Sequence, residues 1–287
     1  MAEDIDKAAI AACNEAVAYT DTVLCLTATD SQGTPSHIGS CVFANFGGVT
    51  VAITCAHVLR DTKALWCGLP RIDEPVLPSQ PAPQLAPAPV IDSDEALDLA
   101  ILDATGVDLG LCRKKPYSLA LSDPITPDAM KRNFGTLSVI CGTWGEKVEI
   151  YANSATQGLV EIPLYAAAGP IHDIRDDLII GDYAEVTVLS SNVAAFPQLG
   201  ALQLTGGSRW LGGTSGSGLW VTHAGECLLA GILLGPLPSQ SNQQLIRFRP
   251  VWQLRDWLDS VITGPQWNNV KPSARQQPCH QKEARND

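Results

Sequence analysis

The feature that most restricts the fold is a series of short strand-like runs that begins at Thr22. The runs TVLCLTATD, GSCVFAN and GGVTVAITCAHVL are β-branched or alternating, and turn residues separate them. Such runs are typical of antiparallel strands. The chain of 287 residues contains 24 glycines and 20 prolines but only 17% charged side chains, which also favours many strands and turns over long helices.

These runs form two groups. The first group ends with ALDLAILD, the polar bridge RKKPYSLALSDPITPDAMKRN follows, and the second group ends with GSGLWVTHAGECLLAGILL. Near the C-terminal end, PVWQLRDWLDSVI has apolar residues at helical spacing after a proline. The pattern predicts an all-β protein of paired β-barrels with a closing helix. We assign a short N-terminal helix to residues 1–20, the first barrel to 21–120, the second barrel to 121–250, a C-terminal helix to 251–263 and a disordered tail to 264–287.

The charge and cysteine patterns restrict the partners and the compartment. A net charge of −11 argues against nucleic-acid and anionic membrane partners, because both need a basic surface. The acidic first residues, MAEDIDKAAI, do not resemble a secretory signal, and no apolar run has the length of a membrane span. The nine cysteines include no C-x-x-C pair. We therefore expect reduced thiols, a cytoplasmic location, and neither a cofactor nor a metal.

The stretch LGGTSGSGLW, residues 211–220, raises three alternatives: a phosphate-binding loop, a tight hairpin, or a turn that presents a serine nucleophile. A Walker-type phosphate loop needs a lysine, and the sequence has none between Lys147 and Lys271. The nucleophile elbow of α/β-hydrolases needs G-x-S-x-G, but Ser217 occupies the last glycine position. A different nucleophile turn, or a hairpin, remains compatible with the stretch.

A serine nucleophile needs a base, and the base needs an orienting carboxylate. His57 lies at the end of an apolar run in TCAHVL, where it is either a base or an ordinary surface residue. Asp98 lies within the apolar run LDLAIL, where a carboxylate is costly unless a group such as an imidazole pairs with it. With Ser215 in the glycine-rich stretch, the chain contains the order His, Asp, Ser.

On these motifs the sequence resembles the chymotrypsin-like (trypsin-fold) serine proteases, and looks like a non-secreted, bacterial-type member. The resemblance covers roughly residues 22–262 and implies two packed six-stranded antiparallel β-barrels. The matching segments are Thr54-Cys55-Ala56-His57, Asp98-Leu99-Ala100, Gly213-Thr214-Ser215-Gly216-Ser217-Gly218, LLAGILLG at 228–235 and the closing helix at 250–262.

The resemblance implies a role for each site residue. Ser215 is the nucleophile, His57 is the general base and then the general acid, and Asp98 orients the histidine. The backbone N–H groups of Gly213 and Ser215 form the oxyanion hole. Arg209, six residues before the nucleophile, lies at the base of the substrate pocket and favours an acidic side chain, or else turns to solvent.

The sequence also departs from the family. Val58 follows His57 where secreted members have a cysteine, so we expect no disulfide there. Thr214 replaces the aspartate that pairs with the new N-terminus of secreted members, so that activation switch is absent. An insertion around residues 155–185 is expected to act as a lid or partner-docking loop.

Together these features imply a serine endopeptidase that hydrolyses protein or peptide substrates through an acyl-enzyme. A regulated intracellular role, with an activating or target protein as partner, is part of this hypothesis. The alternative is a catalytically idle trypsin fold that acts as a binding module.

Overall fold

Strands dominate the structure, as the sequence predicts, and they form two large antiparallel sheets that pack together. The computed structural model describes residues 11–12, 14–27, 37–60, 62–68, 87–132, 137–143, 149–151, 159–161, 164–182, 187–191, 200–203, 212–223, 226–237 and 245–270.

The first sheet contains the strands of the N-terminal half. Its strands are β1 (Thr20–Thr27), β2 (His37–Phe46), β3 (Val49–Thr54), β4 (Thr62–Cys67), β5 (Val90–Asp94), β6 (Leu99–Asp103) and β7 (Tyr117–Ser118). Six of them follow the antiparallel order β4-β1-β2-β3-β6-β5, and β7 pairs with β2 in parallel. Gly47 and Gly48, with φ of 56° and 79°, form the two-residue turn between β2 and β3, a turn that needs positive φ at both positions.

The second sheet closes on itself. The strands of the C-terminal half are β8 (Leu137–Thr143), β9 (Glu149–Tyr151), β10 (Leu159–Glu161), β11 (Leu164–Ile174), β12 (Ile179–Asp182), β13 (Thr187–Ser191), β14 (Gly200–Gln203), β15 (Gly218–His223), β16 (Glu226–Pro236) and β17 (Leu245–Pro250). The strand order of the second sheet is β12-β17-β16-β15-β8-β11-β13-β14, and a further pairing of β11 with β12 closes a ring of six strands. A separate two-stranded sheet pairs β9 with β10.

The segment 155–185, expected to be a lid or docking insertion, instead contributes two strands of this ring. Ile171, Ile174, Ile179 and Ile180 are buried there, because β11 pairs with β8 on one side and with β12 on the other. The strands Leu164–Ile174 and Ile179–Asp182 of this segment are therefore part of the barrel wall, whereas Leu159–Glu161 belongs to the separate two-stranded sheet.

The two sheets share one continuous apolar core. Tyr19, Tyr117 and Trp220 meet in it with ring centroids 5.1–5.3 Å apart, so aromatic contacts join the N-terminal segment to both sheets. Ser122 lies in the bridge between the halves, and its buried hydroxyl donates to the Leu229 carbonyl of β16 at 2.8 Å. The two sheets are thus joined by packing and by buried hydrogen bonds.

Helices are short, apart from the C-terminal one at Val251–Ile262, which follows Pro250 and buries Val251, Leu254, Trp257, Leu258 and Val261. Near the N-terminus, residues 14–17 are helical. Shorter helical turns are Ala56–Leu59, Leu109–Cys112, Leu119–Ser122, Pro127–Arg132 and Trp267–Asn269. No described helix combines the length and the apolar character that crossing a membrane requires.

The predicted disordered tail begins with ordered residues. Residues 264–270 are described and include the helical turn Trp267–Asn269. Trp267 contacts Phe46 edge to face at a centroid distance of 5.7 Å, and this packing holds the segment against the first sheet. Residues 271–287 lie outside the described part of the chain.

Candidate active site

His57 lies in the helical turn Ala56–Leu59 that directly follows β3. Its ring Nδ1 lies 3.0 and 2.8 Å from the two carboxylate oxygens of Asp98. The backbone N–H of His57 also donates to Oδ1 of Asp98, at 3.0 Å. One carboxylate therefore holds both the ring and the backbone of the histidine.

Asp98 lies in the turn before β6, whereas the sequence pattern had placed it inside an apolar strand. Its φ is 55°, in the left-handed region that aspartate tolerates better than most residues. Asp94 forms the turn, because its Oδ1 accepts from the N–H groups of Ala96 and Leu97, both at 2.8 Å. The imidazole partner that the sequence argument required is present.

Burial and hydrogen bonding act on Asp98 in opposite directions. Burial raises the pKa of its carboxyl. The hydrogen bonds from the ring and backbone of His57 together lower the pKa by more than burial raises it, and the positive charge of Arg247 lowers it slightly. The net result is a pKa below the usual value. The side chains of His57 and Asp98 are 31% and 21% exposed, so the pair is partly accessible to solvent.

Arg249 on β17 of the second sheet contacts the turn that carries Asp98. The sequence analysis did not identify this residue. Its Nε donates to the Leu97 carbonyl at 2.9 Å, and a terminal nitrogen lies 3.5 Å from the Ala96 carbonyl. The same guanidinium donates to the Asp177 carbonyl and to Gln253 Oε1, at 2.8 and 2.9 Å. The only available signal was the alternation in LIRFRP, which puts a charged residue at every second position of a strand.

Ser215 lies in the turn that precedes β15, as the nucleophile hypothesis requires. Gly213 and Gly216 have φ of 87° and 92°, which glycine adopts without a steric penalty. The N–H of Ser217 donates to the Thr214 carbonyl at 2.9 Å, and the N–H of Gly216 donates to the Leu233 carbonyl at 2.9 Å. The glycine-rich stretch is therefore a tight turn anchored on β16, which excludes the alternative of a simple hairpin tip.

The Ser215 turn and the His57 turn pack against the same residues of β2 and β16. A Cβ added to Gly39 would lie 2.5 Å from Val58 and 3.4 Å from the Ser215 carbonyl oxygen, so both turns contact Gly39. Cys55 Sγ donates to the Leu233 carbonyl at 3.0 Å, the same oxygen that accepts from Gly216. The fold thus places the Ser215 turn beside the turn that carries His57.

Two further features of the site concern hydrogen bonds that are not made. In the part of the chain that the structure describes, the His57 ring bonds to Asp98, and no hydrogen bond joins it to the Ser215 hydroxyl. Among the same residues, the N–H groups of Gly213 and Ser215 donate to no backbone carbonyl. Arg209, the predicted pocket residue, lies outside the described residues.

Cys55, His57 and Asp98 are the described residues with a spacing that suits a metal ion, since their ligand atoms lie within 4.8 Å of one another. The chemistry of Cys55 fits a metal poorly. Its thiol is fully buried and donates to a carbonyl, and burial raises its pKa well above the usual value. A metal needs the thiolate, so this arrangement favours the protonated thiol instead.

Comparison with solved structures places the fold among the trypsin-like serine proteases. The structure described as "HtrA-type protease AlgW with tripeptide" is 17% identical, with a TM-score of 0.51 over 88% of this chain and 62% of that chain. The structure of the serine endoprotease from Yersinia pestis is 16% identical, with a TM-score of 0.50 over 88% of this chain and 65% of that chain. This chain therefore spans a little under two thirds of the length of these proteins. The sequence matches no protein family and no curated protein.

Proposed function

We propose that this chain is a serine endopeptidase in which Ser215, His57 and Asp98 form a catalytic triad. The observation that carries the proposal is the contact of His57 Nδ1 with both oxygens of Asp98, at 3.0 and 2.8 Å, beside the turn that holds Ser215. A carboxylate at Nδ1 keeps the proton on that nitrogen, which leaves Nε2 free to act as the base.

In the proposed reaction, Ser215 Oγ attacks the carbonyl carbon of a peptide bond while His57 Nε2 accepts the hydroxyl proton. The N–H groups of Gly213 and Ser215 stabilise the oxygen that becomes negative, and Asp98 stabilises the imidazolium. His57 then protonates the leaving amine, which gives the acyl-enzyme, and water repeats the two steps to release the acid. Substrate binding has to bring Ser215 Oγ and Nε2 into hydrogen-bond distance, because such bonds often form only in the complex.

The substrates in this proposal are proteins or peptides. The fold supports this choice, since the similar AlgW structure contains a tripeptide and AlgW is described as a protease. A net charge of −11 disfavours nucleic acid as a substrate. We place the enzyme in the cytoplasm, in a regulated role with an activating or target protein.

The preference for the side chain before the cleaved bond depends, in this proposal, on Arg209. A guanidinium in a closed pocket binds carboxylates through two parallel hydrogen bonds and repels basic side chains. A peptide library varied at that position is expected to show cleavage after aspartate or glutamate, lost in Arg209→Asp. Efficient cleavage after arginine or lysine would contradict the pocket role, and a preference for leucine or alanine would indicate that Arg209 faces solvent.

The second candidate function is a catalytically idle trypsin fold that binds peptides. The observation that favours it is the missing hydrogen bond between Ser215 Oγ and His57 within the described residues. A fluorophosphonate probe separates the two functions, because only an activated serine reacts with it.

The experiment treats the wild-type chain and three variants with a fluorescent fluorophosphonate. The wild type is expected to label at Ser215, and Ser215→Ala and His57→Ala are expected to lose labelling by several orders of magnitude while remaining folded. Ser217→Ala is the matched control, since this buried hydroxyl two residues further on has no hydrogen-bond partner among the described residues. Absence of labelling in the folded wild type would leave only the binding module.

A further inference from the structure

Ser40, in the middle of β2, is a fully buried polar residue that no sequence motif singled out. All three of its polar groups form hydrogen bonds of 2.8 Å. Its N–H donates to the Ser215 carbonyl, and its hydroxyl donates to the Gly213 carbonyl. The hydroxyl also accepts from the N–H of Thr143, and its own carbonyl accepts from the Thr54 hydroxyl.

Two of these bonds reach the Ser215 turn, and they reach it on both sides of the nucleophile. The carbonyl of Gly213 belongs to the peptide group before Thr214, and the carbonyl of Ser215 belongs to the peptide group after the nucleophile. Holding both carbonyls fixes the orientation of the chain between them. That short segment carries the Ser215 hydroxyl and the Ser215 N–H, and it begins at Gly213.

The backbone packs closely around Ser40 at two glycines. A Cβ added to Gly216 would overlap the Ser40 carbonyl oxygen, and a Cβ added to Gly142 would overlap the Ser217 hydroxyl and lie 2.7 Å from Ser40 Oγ. Glycine at these positions is what allows Ser40 to approach so closely. Thr214 carries no charge, so an ion pair from that side chain cannot orient the turn.

We propose that Ser40 is a positioning residue that holds the Gly213–Ser215 segment in the geometry that an oxyanion requires. The proposal rests on the proposed function, since it concerns the same site. In this arrangement the N–H of Thr143 donates to the Ser40 hydroxyl and orients it. The hydroxyl in turn donates to the Gly213 carbonyl in the Ser215 turn and holds that carbonyl in place. The first sheet thereby sets the donor geometry of a turn that belongs to the second sheet.

The test measures how fast the fluorophosphonate reacts with Ser215, at several probe concentrations, in the wild type and in Ser40→Ala. Saturation separates the maximal rate of phosphonylation from the concentration of half-saturation. Misplacing an oxyanion donor or a reacting group by about 1 Å lowers a rate by about 10²-fold. We therefore expect the maximal rate to fall by between about 10-fold and 100-fold, with half-saturation changed by less than about twofold.

The matched control is Ser138→Ala, because Ser138 is also fully buried and its hydroxyl also donates to a backbone carbonyl, that of Gly169, at 2.8 Å. Ser138 pairs with Val221 rather than with the start of β15, so it lies away from the turn. Thermal unfolding is measured for both variants, and all rates are taken well below the lower melting temperature. Ser40→Ala is expected to slow phosphonylation and Ser138→Ala is not, although each substitution removes a buried hydrogen bond from a hydroxyl to a backbone carbonyl.

A second variant covers the case in which Ser40→Ala does not fold. Ser40→Cys keeps a weak donor of nearly the same shape, and its maximal rate is expected to lie between those of Ser40→Ala and the wild type. A rate within twofold of wild type in the folded Ser40 variants would overturn the proposal and leave the triad intact. Equal losses in the Ser40 and Ser138 variants would also overturn it, because they would show a structural role only. An unreactive wild type would overturn the proposed function and this role with it.

Discussion

Replacing Arg249 with methionine tests whether the Asp98 turn needs support from the second barrel. The substitution keeps most of the aliphatic stem and removes the guanidinium, which now donates to the carbonyls of Leu97, Ala96 and Asp177 and to Gln253. The Leu97 and Ala96 carbonyls immediately precede Asp98, whose φ of 55° most residues avoid. Without the guanidinium, the turn is free to relax toward ordinary backbone angles.

The expected loss of stability follows from these four contacts. A hydrogen bond to a charged group contributes about 1.5–3 kcal/mol, and less where water competes. The bonds to Leu97 and Gln253 are partly buried, whereas those to Asp177 and Ala96 are exposed, and the last is long at 3.5 Å. We count the two partly buried bonds and expect a loss of about 3 kcal/mol, or roughly 6–12 °C in the melting temperature.

The catalytic effect is distinct from the loss of stability. Loss of the carboxylate function of a triad aspartate costs about 10⁴-fold in rate, and a displacement of about 1 Å costs about 10²-fold. Because Arg249→Met retains the carboxylate but loosens its turn, we expect fluorophosphonate labelling to slow by about 10-fold to 100-fold. The rate is measured at a temperature at which the variant is fully folded.

Arg255→Met is the control for this prediction. Arg255 lies on the C-terminal helix and donates to Asp123 at 2.7 Å and to the Ile125 carbonyl at 3.0 Å, and its side chain is 21% exposed. Its two partners lie in the polar bridge between the two groups of strands, and none of its hydrogen bonds reaches the Asp98 turn. Its loss is expected to lower the melting temperature without slowing labelling. The reasoning would be refuted if Arg249→Met were destabilised but labelled at the wild-type rate.

Three further predictions follow from single features of the structure. The pKa of Asp98 is lower in the folded protein, so its carboxylate contributes stability above the unfolded pKa of about 3.9, and this stability is lost as pH falls through the folded pKa. In urea unfolding, Asp98→Asn should therefore lose less stability than the wild type when the pH is lowered below about 4. Gly216→Ala places a methyl group on the Ser40 carbonyl oxygen at a φ of 92°, and we expect urea unfolding to show a loss of at least about 3 kcal/mol, whereas wild-type stability would contradict the turn geometry. Every cysteine whose side chain is described is a free thiol, so strong reductant should leave the melting temperature within about 1 °C, and a large decrease would show a disulfide elsewhere in the chain.

Much of the fold was accessible from the sequence, because its signals are local. Short alternating runs separated by turn residues predict strands, and the polar bridge after the first group separates two halves that the structure assigns to two sheets. The C-terminal helix was predicted within one residue, since its apolar spacing and the preceding proline are helix signals. His57 after β3 and Ser215 before β15 also lie where their motifs indicate.

The sequence could not show which strands complete a barrel. Residues 155–185 have weak alternation and looked like an insertion, but β11 and β12 acquire their role through pairing with β8 and β17, which are distant in sequence. The same limit applies to residues 264–270, where Trp267 is ordered by Phe46 on the first sheet. In both cases a long-range contact outweighs the local composition.

The parts of the site that sequence reasoning missed have a common physical origin. Ser40 and Gly213 are 173 residues apart, and Arg249 and Leu97 are 152 residues apart, so neither contact leaves a spacing that a motif can record. Each contact runs between the two sheets and ends on a backbone carbonyl within two residues of a proposed triad residue. A carbonyl is present at every position, which means that the residue it belongs to carries no signal of the contact. The sequence could therefore name His57, Asp98 and Ser215 as candidates, whereas the residues that hold them in position depend on how the two sheets pack.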